Sequence, residues 1–291
     1  MKRLLLVAWT IIHLANLHAQ IPNTDLRTTT TKLPLVSQQD LSSRCRCFWD
    51  HYDFQDLKPL QSPRVILDYI YLLSIVPQDT ARNCLQDVLN RAIKNQSVFE
   101  QFIFLFDRYL YNPNSKFQNE ELYLPILEYV IQSPRVDSIY KIYPRAQLRL
   151  IRQNRIGHKA NDFPFVLSNG TTMRLYEIES PYTLLYFNNP DCSICDMTQK
   201  QICESTVINY LQRQGRLQII AIYPGNQVDL WQQKQYPITW INGYDDQQII
   251  YAKWLYALKT MPVLYLLDWE KKVLVKERPI ADIEQYLKSA N

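Results

Sequence analysis

A change in hydrophobic spacing near Gly157 restricts the folds open to this 291-residue chain. Between residues 41 and 155, apolar side chains recur at intervals of three and four, which is the spacing of amphipathic helices. Beyond Gly157, short apolar runs alternate with helical segments, an order typical of a sheet flanked by helices. The sequence therefore predicts two domains: an all-α helical domain over 41–155 and an α/β domain with a mixed central sheet over 157–291.

The first forty residues have the pattern of an export signal followed by a spacer. Basic residues 2–3 precede an apolar run over 4–15, and Ala19 is a small residue at the cleavage position. The run is shorter than the roughly 20 residues of a membrane-spanning helix, and no cysteine stands near the cleavage position for lipid attachment. We therefore predict a cleaved signal peptide over 1–19 and a Thr-rich linker over 20–40. The expected protein is periplasmic or secreted, without an integral membrane segment after cleavage.

The charge balance gives no reason to expect a nucleic-acid partner. The formal net charge is +4, and Lys2 and Arg3 of the predicted leader contribute two of these charges. A chain that binds nucleic acid through its phosphates generally carries a strong basic excess. We also expect neither a metal ion nor an organic cofactor.

Several helix starts can be placed within the helical half. Ser62 and Pro63 are predicted to cap and open one helix, since serine favours the cap and proline the first turn. Ser97 and Glu100 have the spacing of a capping box ahead of another helix. Further helices are predicted from Glu120 and from Pro134.

The second half begins with a predicted hairpin at Asn169-Gly170, the strongest short turn signal in the chain. The elements expected after it follow in this order: strand 183–188, helix 193–213, strand 217–223, helix 226–235, strand 238–241, helix 246–257, strands 262–267 and 272–276, and a helix from Ala281.

A Cys-x-x-Cys pair follows the predicted strand over 183–188. Cys192 stands where the next helix begins, and Cys195 lies one turn further along. The unpaired N–H groups and the dipole of a helix N-terminus stabilise a thiolate, the form of cysteine that attacks a disulfide. We therefore predict that Cys192 is the nucleophile and that Cys195 resolves the mixed disulfide.

A proline heads a later apolar strand, in the segment Thr260-Met261-Pro262, where its missing N–H costs least. The other features of the pattern are the hairpin, the cysteine pair, the segment Gly157…Ala160-x-Asp162-Phe163, and Asp268. With them, residues 157–291 resemble the thioredoxin superfamily, especially the TlpA- and ResA-type envelope oxidoreductases. The resemblance implies that Pro262 is a cis-proline beside the cysteine pair and that the Met261 backbone binds a substrate strand.

Three short motifs distinguish the helical half. They are Phe48-Trp49-Asp50…Asp53-Phe54, the segment Tyr109-Leu-Tyr-Asn-Pro-Asn-Ser115, and Glu120-x3-Leu124-Pro-Ile-Leu-Glu128. Through these motifs it resembles a helical domain of unknown function that is fused to thioredoxin domains in envelope proteins of Bacteroidetes. That family implies no particular substrate.

Two positions depart from the thioredoxin pattern. Asp191 replaces the tryptophan usual before the first cysteine, and Tyr186 occupies the strand position of a buried acid. Asp191 and Asp196 place negative charge on both sides of the cysteine pair, and such charge disfavours a thiolate. We therefore assign a redox-tuning role to both aspartates and expect a reducing bias.

The chain has four further cysteines. Cys203 lies about 16 Å along the helix from the nucleophile, beyond disulfide reach, and is expected to be a core thiol. Cys84 is expected to form a disulfide with Cys45 or Cys47, because an exported protein meets oxidising conditions. A zinc site formed by these three cysteines and His51 is the alternative, which the unusual Cys-x-Cys spacing disfavours.

The predicted function is exported thiol–disulfide exchange. Cys192 would attack a disulfide of an envelope client protein, Cys195 would release the product, and a membrane or periplasmic electron donor would restore the dithiol. The alternative is an envelope binding or scaffold protein in which the helical domain acts and the two cysteines form a structural disulfide.

Overall fold

Helices make up the first half of the described chain. The computed structural model describes residues 37–290, so the predicted signal peptide over 1–19 and the predicted linker up to residue 36 lie outside the described residues. The α-helices of this half are α1 (Gln38–Cys47), α2 (Lys58–Gln61), α3 (Pro63–Ile75), α4 (Gln78–Ala92), α5 (Gln96–Phe106), α6 (Glu120–Gln132) and α7 (Ile142–Ile151). A π-helical turn, Asp107–Tyr111, extends α5, and a 3-10 turn, Ser138–Lys141, precedes α7. The helical half, residues 38–155, thus begins inside the predicted linker.

Two predicted helix starts in this half are wrong. The cap of α5 is Asn95, whose side chain accepts hydrogen bonds from the N–H groups of Ser97 and Val98 at 3.1 and 3.4 Å. Asparagine caps as well as serine does, so the helix begins ahead of the predicted capping box. Pro134 lies in a turn, and the next α-helix begins only at Ile142.

Aromatic side chains fill the core of the helical half. The ring of Trp49 packs edge-on against Tyr69 and Phe102, with ring centroids 5.2 and 5.0 Å apart. Each of these rings is buried. Burying an aromatic side chain of this size contributes about 1.5–3 kcal/mol, and an edge-to-face pair adds about 1 kcal/mol.

A mixed sheet organises the α/β half, residues 157–290. Its strands are β1 (Pro164–Leu167), β2 (Thr172–Arg174), β3 (Tyr182–Phe187), β4 (Leu217–Tyr223), β5 (Ile241–Tyr244), β6 (Val263–Asp268) and β7 (Val273–Lys276). In the part of the chain that the structure describes, they are ordered β2-β1-β5-β4-β3-β6-β7. Strand β4 pairs in parallel with β3 and β5, and the other pairs are antiparallel. The predicted hairpin at Asn169-Gly170 is confirmed, and Gly170 has a φ of +83°.

The helices of this half lie on both faces of the sheet, and each face has its own apolar cluster. They are α8 (Ser193–Glu204), α9 (Thr206–Arg213), α10 (Val228–Gln233), α11 (Ile249–Ala252) and α12 (Ile280–Ala290). The predicted fold class, an all-α half followed by a mixed sheet flanked by helices, is confirmed. None of the helices that the structure describes is long and apolar enough to cross a membrane.

Three predicted elements of this half need correction. The helix predicted over 193–213 is broken at Ser205, whose hydroxyl caps α9 by accepting from the Ile208 N–H at 3.4 Å. The strand predicted over 238–241 lies at Ile241–Tyr244. The helix predicted over 246–257 is reduced to the four residues of α11, because Gln248 and Trp254 on either side adopt left-handed backbone angles, φ +51° and +58°.

Candidate functional site

The cysteine pair and Pro262 come together because β3 and β6 are antiparallel neighbours. Phe187, the last residue of β3, pairs with Val263, the first residue of β6. The chain leaving β3 toward Cys192 therefore lies beside the chain that enters β6 from Pro262. The Met261–Pro262 peptide bond is cis, as the resemblance implies.

Cys192 occupies the start of α8. It is the N-cap residue, and its Sγ accepts a hydrogen bond from the Cys195 N–H at 3.2 Å. Its thiol also donates to the Met261 carbonyl oxygen at 3.9 Å. The side chain is half-buried. A sulfur in this position receives both a backbone N–H and the positive end of the helix dipole.

Cys195 lies one turn deeper and is almost entirely buried. Burial raises the pKa of its thiol from 9.0 to about 12. Desolvation penalises the thiolate form, so Cys195 remains protonated under neutral conditions. The structure therefore gives the two cysteines different surroundings: an accessible sulfur at the helix start and a buried thiol behind it.

Tyr186 and Tyr236 line the protein interior behind the pair. The Tyr186 hydroxyl donates to the Cys195 carbonyl oxygen at 2.7 Å, and the Tyr236 hydroxyl donates to the side-chain oxygen of buried Asn188. Burial raises the pKa of both phenols. They act as neutral donors at neutral pH, so Tyr186 cannot supply the negative charge of an acid at this position.

Sequence reasoning identified Tyr186 but missed Asn188 and Tyr236. Asn188 directly follows β3, and a polar residue leaving a buried strand next to a cysteine motif is a signal that could have found it. Tyr236 lies in the loop before β5 and has no local signal.

The two aspartates beside the cysteines have different surroundings. Asp196 forms an ion pair with Lys234, whose side chain is mostly buried. Asp191 is exposed immediately before Cys192. The ammonium group of Lys234 offsets the charge of Asp196, whereas solvent and salt screen that of Asp191.

Two apolar side chains extend into solvent next to Cys192. Ile194 and Met197 are 56% and 59% exposed and lie three residues apart on α8. Residues three apart on a helix share a face, so these two side chains form an apolar surface beside Cys192.

The structure gives all six cysteines as free thiols, so the disulfide expected between Cys84 and Cys45 or Cys47 is not formed. Cys45 and Cys84 are buried and hydrogen-bond to each other, which selects Cys45 over the exposed Cys47 as the neighbour of Cys84. The expected core position of Cys203 is wrong, because this thiol is exposed near the end of α8. The zinc alternative gains no support: among residues 37–290, no group of three His, Cys, Asp or Glu side chains could hold a metal ion.

Comparisons with known proteins cover both halves. A family model described as a domain of unknown function, DUF5106, matches residues 33–154. No curated protein sequence matches the chain. A solved structure of a thioredoxin-like protein from Bacteroides caccae ATCC 43185 is 34% identical, with a TM-score of 0.83, and the match spans 94% of this chain and 100% of that one.

Two further solved structures match about half of the chain. The C-terminal domain of an uncharacterized protein from Bacteroides fragilis NCTC 9343 is 39% identical over 46% of this chain and 98% of that chain, with a TM-score of 0.46. A conserved protein of unknown function from Bacteroides fragilis is 32% identical over 46% of this chain and 98% of its own, with a TM-score of 0.45. The Bacteroides caccae match, by contrast, extends over the helical half and the α/β half alike.

Proposed function

The chain belongs to the thioredoxin-like proteins, and on that premise we propose that it is an exported thiol–disulfide oxidoreductase that reduces disulfides of envelope client proteins. The observation that carries the proposal is the position of Cys192. Its sulfur caps α8, accepts the Cys195 N–H at 3.2 Å and lies 3.9 Å from the Met261 carbonyl oxygen. A nucleophilic sulfur, a resolving thiol and a backbone edge for a substrate are thus within reach of one another.

In the first step, the Cys192 thiolate attacks one sulfur of a client disulfide. A bond forms between Cys192 Sγ and that sulfur, the client S–S bond breaks, and the second client sulfur leaves as a thiolate. The Met261 backbone holds the client segment in an extended conformation beside the pair, as the resemblance implies.

In the second step, Cys195 attacks Cys192 Sγ and releases the other client sulfur. Because burial raises the pKa of Cys195 to about 12, its proton must be transferred as the attack occurs. The client thiolate released in the first step is at the same place and can accept that proton. The client sulfur released in this second step leaves as a thiolate and takes its proton from water, which accepted the proton of Cys192 when that thiol ionised. The client thus gains two electrons and two protons, one proton from Cys195 and one from solvent, and Cys192 and Cys195 are left as a disulfide.

A separate electron donor must restore the dithiol after each turnover. We assign this role to a membrane or periplasmic donor, because the predicted leader over residues 1–19 would export the chain. Export would also bring the protein to clients with disulfides, which persist in oxidising compartments.

The charges around the site support a reducing direction. Asp191 carries a negative charge next to Cys192 and disfavours the thiolate of the reduced form. Asp196 contributes less to this effect, because Lys234 pairs with it. A reduced form that is less stable donates its electrons more readily.

The test is reduction of insulin disulfides with dithiothreitol as the electron source. We expect wild-type activity to be lost in both Cys192→Ser and Cys195→Ser. Cys203→Ser is the matched control, because it removes an exposed thiol from the same helix, and it should retain activity. Absence of wild-type activity above the dithiothreitol background would instead favour the binding or scaffold function.

A further inference from the structure

Four charged side chains are buried together where the helical half meets the sheet. Glu120 begins α6, Lys276 ends β7, and Glu277 follows it, while Lys259 lies two residues before Met261. Their side chains are 14%, 6%, 5% and 17% exposed, respectively. We call these four residues the ion cluster. Its two carboxylates and two ammonium groups balance in charge.

Lys276 joins the edge strand of the sheet to the helical half. Its Nζ lies 2.6 Å from Glu120 Oε2 and donates to the Gln153 carbonyl oxygen at 3.0 Å. A buried ammonium is tolerated only when charges and hydrogen bonds compensate it, and the helical half provides both here.

Lys259 connects the segment leading into Pro262 to the same ion cluster. Its Nζ lies 3.5 Å from Glu120 Oε1 and 3.6 Å from Glu277 Oε2. It also sits 3.4 Å above the ring centroid of Tyr111, in cation–π geometry. Glu120 and Tyr111 both belong to the helical half, so this half directly contacts the chain two residues ahead of Met261.

Glu277 completes the ion cluster from the sheet. It accepts a hydrogen bond from the Tyr265 hydroxyl at 2.9 Å, and burial raises its pKa. Removing any one charge would leave an excess of the opposite charge in this largely buried site, which is unfavourable. The ion cluster therefore favours one arrangement of the helical half and the Lys259 segment.

A second group of contacts holds the same segment further upstream. Asn154 donates to the Leu255 carbonyl oxygen at 2.7 Å. Arg149 donates to the Lys253 carbonyl oxygen at 3.3 Å and lies 5.5 Å above the ring of Trp254. The helical half thus contacts the chain between 253 and 259 at several successive points.

We propose that Lys259 is a positioning residue through which the helical half, by way of Glu120 and Tyr111, fixes the Met261–Pro262 loop for binding of an extended polypeptide client. The inference rests on the proposed function and gives the helical half a role in it. Lys259 itself does not touch the reacting sulfurs.

Positioning of the Met261–Pro262 loop should affect polypeptide disulfides and small disulfides differently. A polypeptide disulfide must pair with the Met261 backbone, so a misplaced loop weakens its binding. A small disulfide such as oxidised glutathione or an aromatic disulfide reagent offers no extended strand and needs only access to Cys192. Loop positioning should therefore appear in KM for the polypeptide and not in the rate with the aromatic reagent.

The test compares Lys259→Met with Lys276→Met, two variants that each remove one ammonium from the ion cluster. Only Lys259 lies on the segment leading to Pro262. For Lys259→Met we expect KM for an insulin disulfide to rise roughly tenfold, with an unchanged rate toward the aromatic disulfide. Both methionine variants should show a similar fall in melting temperature, but for Lys276→Met we expect an unchanged insulin KM. Lys259→Arg, which keeps the charge, should have an insulin KM close to that of the wild type.

Equal behaviour of the two methionine variants toward both substrates would overturn the inference, because the ion cluster would then act on stability alone. A wild type that reduces neither disulfide would instead overturn the proposed function.

A second measurement does not depend on activity: backbone amide exchange over 253–264 should accelerate in Lys259→Met and not in Lys276→Met. If Lys259→Met does not fold, Tyr111→Leu removes the ring below Lys259 without unpairing a charge, and the same two readouts apply. Unchanged exchange and insulin KM in that variant would also contradict the inference.

Discussion

The chain contains two pairs of neighbouring cysteines whose surroundings differ. Cys192 and Cys195 lie at the start of α8, with one sulfur reachable from solvent and next to the cis Met261–Pro262 peptide. Cys45 and Cys84 face each other between α1 and α4, and both are buried in the aromatic core of the helical half. Both pairs bring two thiols into contact, so contact does not distinguish them.

The difference lies in access and in the groups around each sulfur. Cys192 receives a backbone N–H and the helix dipole, whereas the hydrogen bond to Cys84, together with burial, raises the pKa of Cys45. Rings of Trp49 and Tyr69 pack into the same core as Cys45. A pair enclosed in this way can contribute to stability but cannot meet a protein disulfide. We therefore propose the pair at the helix start, and not the buried pair, for thiol–disulfide exchange.

The largest expected difference between the two pairs is in their alkylation rates. In the reduced native protein at neutral pH, iodoacetamide should modify Cys192 about a hundredfold faster than Cys45 or Cys84, because both thiols of the second pair are buried and the reagent must reach the sulfur. A time course with site-resolved mass spectrometry measures these rates. Unfolded protein is the control, in which the three rates should converge. Comparable alkylation rates for the three cysteines in the native protein would contradict the difference in access between the two pairs.

A dependence on pH should appear within the first pair. Because burial raises the pKa of Cys195 to about 12, its thiolate fraction should grow about a hundredfold from pH 8 to pH 10 and still be only about 1%. Alkylation of Cys195 in the Cys192→Ser variant should likewise keep rising with pH over this range without a plateau, because burial, the largest cause of the raised pKa, is retained in the variant. A plateau near pH 9 would contradict the effect of burial.

A serine substitution in the second pair should lower the free energy of unfolding more than one in the first pair. Cys84→Ser places a hydroxyl in an apolar core and should lower the free energy of unfolding by about 1–3 kcal/mol. Cys192→Ser changes a half-buried position and should cost less than about 0.5 kcal/mol. Urea unfolding of the reduced proteins compares the two, and equal losses would contradict the assigned roles.

The smallest expected effects concern the charges beside the first pair. Asp191→Asn removes a negative charge and should make the reduction potential of Cys192/Cys195 less negative, by at most about 30 mV, equivalent to a tenfold change in equilibrium constant. Lys234→Met leaves Asp196 unpaired and should shift the potential in the opposite direction. Redox titration measures both shifts, and shifts of the same sign would contradict the redox-tuning role of the aspartates.

The local part of the site could be predicted from the sequence. A strand followed by Cys192 at a helix start, and a proline heading a later strand, are patterns of a few residues each, and the antiparallel pairing of β3 and β6 brings them together. The Lys276–Glu120 contact could not be predicted in this way, because it joins residues 156 positions apart.

The errors in element prediction also have physical causes. Ser205 interrupts an amphipathic pattern that would otherwise continue, and the cap it provides leaves Cys203 exposed at a helix end. Gln248 and Trp254 adopt left-handed angles that are unusual for these residue types, so composition gives no warning of them. Tertiary contacts, such as that of Trp254 with Arg149, accompany this geometry.

The most direct test of the account is a single turnover in which fully reduced protein is mixed with an excess of a disulfide-bonded polypeptide. Mass spectrometry of the products then identifies which cysteines have become linked. We predict a Cys192–Cys195 disulfide in the same molar amount as the reduced polypeptide, with Cys45 and Cys84 still free. Formation of a Cys45–Cys84 disulfide in that amount, or reduction of the polypeptide without a Cys192–Cys195 bond, would contradict the account.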